Sequence, residues 1–148
     1  MNCGINDMKI GIVSGHFSFL HAGHIEYIEA SKNQCDYLVV VINNDVQANL
    51  KGSKKIIDEK HKSKIISALR AVDSTIISID TDKTVCKTIN LIRTSFPSDD
   101  MYFFNSGDRL GDNIESAEVS LCEKLGIKYV AIDLPKRYSS SELLKNIC

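Results

Sequence analysis

The chain has 148 residues, 43% of them hydrophobic and 25% charged, with a formal net charge of -1. That length and mix suit one ordinary globular domain spanning 1–148, able to bury a full core without staples. The near-neutral balance argues against wholesale binding to nucleic acid or to an anionic membrane, both of which need a broad surplus of Lys and Arg.

Apolar runs of strand length alternate with stretches of helical period, the pattern of an α/β domain built on a parallel sheet. The first expected strand is 9–14 (KIGIVS), and the first helix is 24–32, with Ile25 and Ile28 on one face. The second strand, 37–42 (YLVVVI), is so continuously apolar that helices should cover both its faces. A helix marked by Ile65, Leu69 and Val72 starts near Asp58 and leads to a strand at 74–79 (STIISI). Val85, Ile89 and Ile92 mark another helix, followed by a short strand at 101–104 (MYFF). Ala117, Leu121 and Leu125 give a helix ended by Gly126, a residue suited to the left-handed turn past a helix, and 128–132 (KYVAI) is the fifth strand. Ser139 and Glu142 form a capping-box pattern that opens a last helix through Ile147. The expected fold is a Rossmann-like, doubly wound, parallel five-stranded sheet with helices on both faces.

The five cysteines are scattered and show no CxxC pairing, so neither a disulfide framework nor a zinc knuckle is indicated. The stretch MNCGINDM lacks the build of a signal peptide, and nowhere do ~18 apolar residues run together, so a soluble, cytoplasmic protein is expected. One local surplus of charge stands out. Lys51, Lys54, Lys55, Lys60, Lys62 and Lys64 face only Asp58 and Glu59 between positions 51 and 64. Such a run serves either an anionic ligand or a solvated helix face.

In a doubly wound sheet, ligands sit at the carboxyl ends of the strands, where the strand order reverses. Three segments fall at such ends: 14–24 after the first strand, 105–109 (NSGDR) after the fourth, and 135–141 (PKRYSSS) after the fifth. The first contains Gly15 but no GxGxxG, so the ordinary dinucleotide fingerprint is missing. Asn43 and Asn44 stand where a dinucleotide fold usually carries an acidic residue for the ribose.

That first segment leads through His21-Ala22-Gly23-His24 into a helix N-terminus. Histidines three apart in a first helical turn lie on one side, and the free N–H groups there already favour an anion. Two imidazole donors at that end would hold a polyphosphate and follow negative charge as it moves in phosphoryl-type transfer. Gly23, without a Cβ, lets the backbone come close. By spacing alone the pair also fits an ordinary surface or satisfied core pair. A zinc site built from His16, His21 and His24 is the other rival, but HxxxxHxxH is not a usual zinc spacing and no companion Cys or carboxylate is evident. No metal ligand is therefore assigned. In NSGDR, Asp108 could meet a ribose hydroxyl, the base or a magnesium-bound water, and Arg109 could neutralise phosphate or the second substrate, although the same residues suit a plain turn. Ser139, Ser140 and Ser141 can cap the last helix and bind phosphate with the same helix end.

Gly15 to His24 (GHFSFLHAGH) resembles the GxFDxxHxGH signature of the cytidylyltransferase-like nucleotidyltransferases, the group that includes glycerol-3-phosphate cytidylyltransferase and the adenylyltransferase that activates heptose 1-phosphate. The resemblance continues down most of the chain. Lys51-Gly52 is similar to the family's lysine after the second strand, and Lys62 to Asp73 to its third-helix segment ending in VD. Asn105 to Arg109 resembles the NGGDR or GDD loop, and Arg137 to Ser141 the terminal STT or SSS element. Two positions depart from the pattern: Ser18 replaces the signature's Asp, and Lys62 stands where relatives carry Arg, keeping charge but losing the bidentate fork. A Ser can still make turn hydrogen bonds in place of the Asp.

The resemblance implies transfer of CMP or AMP from CTP or ATP to a small phosphorylated acceptor, such as a polyol or sugar phosphate, with release of pyrophosphate. His21, His24 and Lys51 are then the catalytic residues. Gly15, His16, Phe17, Gly23, Asp108, Arg109, Ser139, Ser140 and Ser141 bind the nucleotide, and Lys62 and Arg137 the other substrate. Mg²⁺ is expected as the nucleotide's companion, and a homodimer is implied by the family. A nucleotide-binding sensor of the same fold, weakened by Ser18 and Lys62, is the alternative.

Overall fold

The computed structural model describes residues 8–51, 57–106 and 116–134. In chain order its elements are β1 (Lys9–Gly15), α1 (Ala22–Lys32), β2 (Tyr37–Ile42), α2 (Asp45–Lys51), α3 (Glu59–Ser67), β3 (Ser74–Ile77), α4 (Cys86–Ser95), β4 (Asp100–Ser106), α5 (Ser116–Leu125) and β5 (Lys128–Ile132). Side chains alternate across a strand, so an all-apolar strand is stable only when both of its faces are covered. Ile10, Ile12, Val39, Val41, Met101 and Phe103 pack on one face with Ile89 and Ile92 of α4 and Cys122 of α5. Val13, Leu38, Val40, Ile42 and Phe104 pack on the other with Ile28 of α1 and Ile66 of α3. These are the two helical layers expected from the sequence. None of the described helices is long and apolar enough to cross a membrane.

The strands run parallel in the order β3-β2-β1-β4-β5. The chain winds outward from β1 through β2 to β3, then crosses back to β4 and β5, so the order reverses between β1 and β4. Register shows what this does to the carboxyl edge. β1 stays paired with β2 as far as Gly15 opposite Ile42, and β4 with β5 as far as Ser106 opposite Ile132. Pairing between β1 and β4 stops earlier, at Ile12 opposite Phe103. Beyond that point the two central strands part and leave a crevice, the usual ligand position in such sheets.

Several boundaries differ from the expected ones. β4 is longer on both sides, and β3 ends at Ile77, with Ile79 52% exposed beyond it. α3 buries Ile66 rather than Ile65, and Leu69 and Val72 follow it in turns instead of extending the helix. α2 was not expected. Asn44 and Gln47 open it with a reciprocal cap, the Gln47 N–H donating to Asn44 Oδ1 at 2.9 Å and the Asn44 N–H to Gln47 Oε1 at 3.1 Å, and Asp45 ties it to the start of α3 through paired bonds with Glu59 at 2.9 and 3.1 Å. The last helix expected from Ser139 lies outside the described residues.

Polar side chains fasten the loops. Asn44 donates its amide to the carbonyls of Ser78 (2.9 Å) and Asp80 (2.8 Å), and Gln47 to those of Asp82 (2.9 Å) and Thr84 (2.8 Å). Asn44 is therefore committed to bracing the carboxyl ends of β2 and β3, not to a ribose. The buried Asp80 carboxylate accepts from the N–H groups of Lys87 (2.8 Å) and Thr88 (3.0 Å), and Glu118 of α5 accepts from the Val85 N–H (2.9 Å). Both satisfy the start of α4, whose own N-cap residue, Val85, makes no side-chain cap bond. At the opposite, amino edge of the sheet, Asp73 accepts from Lys32 (2.6 Å) and the Leu38 N–H (2.7 Å). Burial pulls the Asp73 carboxyl up, but these two donors outweigh it and hold the group below its ordinary value.

Close packing of Phe104 and Cys35 over β1 requires a glycine at position 11. A Cβ there would stand 2.6 Å from Phe104 Cε2 and 2.7 Å from Cys35 Sγ. Gly11→Ala should therefore destabilise the protein by about 1–3 kcal/mol through overpacking. Urea unfolding checks this, and an unchanged midpoint would contradict the close approach.

Candidate functional site

The loop 16–21 leaves β1 at the crevice and turns sharply at Phe17, which holds φ 50° and is buried. A non-glycine residue in that region costs of order 1–3 kcal/mol, so packing must hold it there. The ring lies against Gly15, where an added Cβ would come within 3.0 Å of Phe17 Cζ, and its edge meets His24 at 5.6 Å between centroids. Phe17 thus turns inward as a floor beneath His24. Among the described residues, the hydrogen bonds that fix the end of this loop come from His21 and His24 and not from Ser18.

Those two histidines cap α1 reciprocally. His21 is the N-cap residue, with extended backbone (φ -139°, ψ 176°), and its Nδ1 accepts from the Gly23 N–H at 3.1 Å. His24, at the third helical position, accepts from the His21 N–H through its own Nδ1, also at 3.1 Å. This is a capping box in which imidazoles replace the usual hydroxyl and carboxamide or carboxylate. It also settles the tautomers. A neutral imidazole that accepts at Nδ1 carries its proton at Nε2, so each ring presents Nε2–H as a donor. The rings sit 4.0 Å apart between centroids. Burial lowers the pKa of His21; in His24 burial, helped by the neighbouring His21, pushes it down to about 4. The arrangement is a pair of neutral N–H donors at the positive end of a helix, suited to an anion.

Tyr27, one turn beyond His24, donates its hydroxyl to the Phe104 carbonyl of β4 at 2.9 Å. Beside it at the end of β4, the buried Asn105 donates to the Tyr129 hydroxyl of β5 at 2.7 Å. Neither role was expected. The signal available for Tyr27 was an aromatic with a polar tip on the same helix face as His24.

Of the expected site residues, the crevice gathers Gly15, His16, Phe17, His21, Gly23 and His24. Lys51 closes α2, which leads away from the carboxyl end of β2, and its side chain lies outside the described residues. Lys62 lies in the first turn of α3 and is only 2% exposed, on the same face as Ile66. It is a buried residue and not part of a solvated lysine face. Asp108, Arg109, Arg137, Ser139, Ser140 and Ser141 lie outside the described residues. In the sequence, Asp108 and Arg109 follow β4, and Arg137 and the three serines follow β5. Among the described residues, no group of three or more His, Cys, Asp or Glu is arranged to hold a metal ion.

The cap carries a pH dependence of known sign. His24 titrates at about 4 in the folded chain against an ordinary 6.5, so between those values the unfolded chain binds the extra proton. Stability should accordingly fall as pH drops from 6.5 towards 4, and be insensitive to this group above 6.5. Protonation also places a hydrogen on Nδ1, which can then no longer accept from His21. Imidazole NMR should show His24 titrating near 4, with the His21 amide losing protection from exchange in the same range. A midpoint near 6.5 would contradict the arrangement.

The sequence profile of the family described as cytidylyltransferase-like matches residues 12–146. Bifunctional protein HldE of Bradyrhizobium sp. (strain ORS 278) is 32% identical over 139 residues, 93% of this chain and 26% of that protein. FAD synthase of Picrophilus torridus is 41% identical over 86 residues, 58% of this chain and 60% of that protein. The chain thus spans about a quarter and about three-fifths of the lengths of these relatives. The solved lipopolysaccharide core biosynthesis protein from Thermoplasma volcanium GSS1 is 30% identical, with a TM-score of 0.69 over 89% of this chain and 99% of that one. A putative nicotinate-nucleotide adenylyltransferase from Vibrio parahaemolyticus shares the fold at 16% identity, with a TM-score of 0.64 over 95% of this chain and 80% of that one. Because the profile match begins inside β1 and continues to residue 146, taking in the histidine pair and every later strand, this chain belongs to the cytidylyltransferase-like family.

Proposed function

We propose that the chain transfers a nucleoside monophosphate from CTP or ATP to a small phosphorylated acceptor, such as a polyol or sugar phosphate, with release of pyrophosphate. The observation that carries this reading is the pair of neutral imidazoles, locked with Nε2–H as donor, at a helix N-terminus beside the crevice. An oxygen of the acceptor phosphate attacks the α-phosphorus in line. The bond from that phosphorus to the bridging oxygen breaks, and pyrophosphate leaves with the electron pair. Charge then grows on the bridging and β-phosphate oxygens. Donors already oriented there stabilise it without reorganising.

On this reading His21 and His24 serve the α- and β-phosphates, and the backbone of Gly15, His16, Phe17 and Gly23 lines the nucleotide. Lys51 clamps phosphate from the opposite side. Ser139, Ser140 and Ser141 hold the outer phosphates, while Asp108 and Arg109 meet the nucleotide. Arg137 and the buried Lys62 serve the acceptor side. The described residues of the crevice offer N–H donors and not a set of carboxylate oxygens, so they do not fit a protein-held Mg²⁺. The ion belongs to this proposal only as the nucleotide's counter-charge, and no step is routed through it.

A variant that separates folding from chemistry is His24→Gln. A glutamine at the third helical position can keep the reciprocal cap, as in an ordinary capping box, while the imidazole donor is lost. The variant should fold, yet release pyrophosphate about 10²–10³-fold more slowly than the wild type when supplied with CTP or ATP, Mg²⁺ and a panel of sugar and polyol phosphates. Near wild-type release by the folded variant would overturn the role given to His24.

A further inference from the structure

We infer that Tyr27 is a positioning residue that fixes the separation between the histidine-bearing start of α1 and the carboxyl end of β4. This deepens the proposed transfer and rests on it for its rate readout. Phe104 is the first β4 residue beyond the last β1–β4 pair, Ile12 opposite Phe103, and it is fully buried. Its carbonyl accepts from the Tyr27 hydroxyl at 2.9 Å. The bond therefore ties α1 to β4 just beyond the point where β1 and β4 stop pairing. Tyr27 follows His24 by three positions, so hydroxyl and imidazole lie on one flank of the helix. Both ends of the link belong to regular elements, one carrying the two histidines at its start and the other ending at Ser106.

On the proposed function, reacting groups held between α1 and the carboxyl end of β4 depend on the spacing of the two elements. A misplacement of about 1 Å can cost on the order of 10² in rate without direct contact to the chemistry. Losing the hydroxyl removes the donor from a buried carbonyl, and the helix start then settles at a different height over β4.

Tyr27→Phe removes one oxygen and leaves the ring. Ser31→Ala serves as the comparison, because the buried Ser31 hydroxyl donates to the Tyr27 carbonyl at 2.9 Å within the same helix and does not reach β4. Tyr27→Phe should lower kcat about ten- to hundred-fold and raise the nucleotide KM about ten-fold, at a melting temperature close to that of Ser31→Ala, which keeps its kcat and KM. A second measurement needs no turnover: inorganic tripolyphosphate titrated against the Nε2 signals of His21 and His24. Tyr27→Phe should displace the His24 signal in the free protein and weaken tripolyphosphate binding about ten-fold, whereas Ser31→Ala should do neither. Equal losses in the two variants would reduce Tyr27 to general packing and overturn the inference, as would an unchanged kcat or tripolyphosphate affinity in Tyr27→Phe. If the wild type releases no pyrophosphate with any nucleotide and acceptor, the proposed function fails and the tripolyphosphate titration alone decides the role of Tyr27.

Discussion

The candidate site depends on one constraint: β1 and β4 stop pairing while each still runs on beside its outer neighbour. Parallel strands that part leave backbone groups in need of partners, and a buried group without one is costly. In this chain the gap is occupied from one side by the Phe17 loop and the start of α1, and α1 is tied to β4 by the Tyr27 hydroxyl on the Phe104 carbonyl. The reversal of strand order produces the gap, because the connections from β1 and β4 lead to opposite faces of the sheet, α1 packing on one and α5 on the other.

Within that seam each histidine uses Nδ1 for folding and, on the proposed function, Nε2 for the ligand. Nδ1 completes the helix start, and the same bond forces the proton onto Nε2. A serine and a glutamate would cap equally well but would offer no fixed donor beyond the helix. Burial keeps His24 uncharged at neutral pH, so on the proposed function its attraction for phosphate comes from a directed N–H and the helix end, not from a formal cation. An uncharged donor of this kind can hold a polyphosphate and still let the product go.

The strands were legible because buried parallel strands are written as unbroken apolar runs, and YLVVVI could hardly be anything else. The inward face of α3 was not, because Lys62 fills a buried turn and a lysine at that position reads as solvent-facing. α2 escaped notice for a different reason: its Val46 and Leu50 are exposed and give no clear apolar stripe, although Asn44 and Gln47 form its cap locally. At the site, HAGH identified the histidines, but nothing local showed that they cap their own helix, since histidine is not a usual capping residue. Asn44 and Tyr27 were illegible as partners because the carbonyls they meet lie far along the chain, and only the fold brings them together.

The start of α4 is satisfied by Asp80, which follows β3 at one edge of the sheet, and by Glu118 of α5, which leads to β5 at the other. The crossover helix thus borrows its cap from both halves of the molecule. Neither half can open without stripping backbone partners from the element that joins them, which couples the two βαβ halves into one cooperative unit. Order at one edge of the sheet is thereby conveyed to the other through the cap of a single crossover helix.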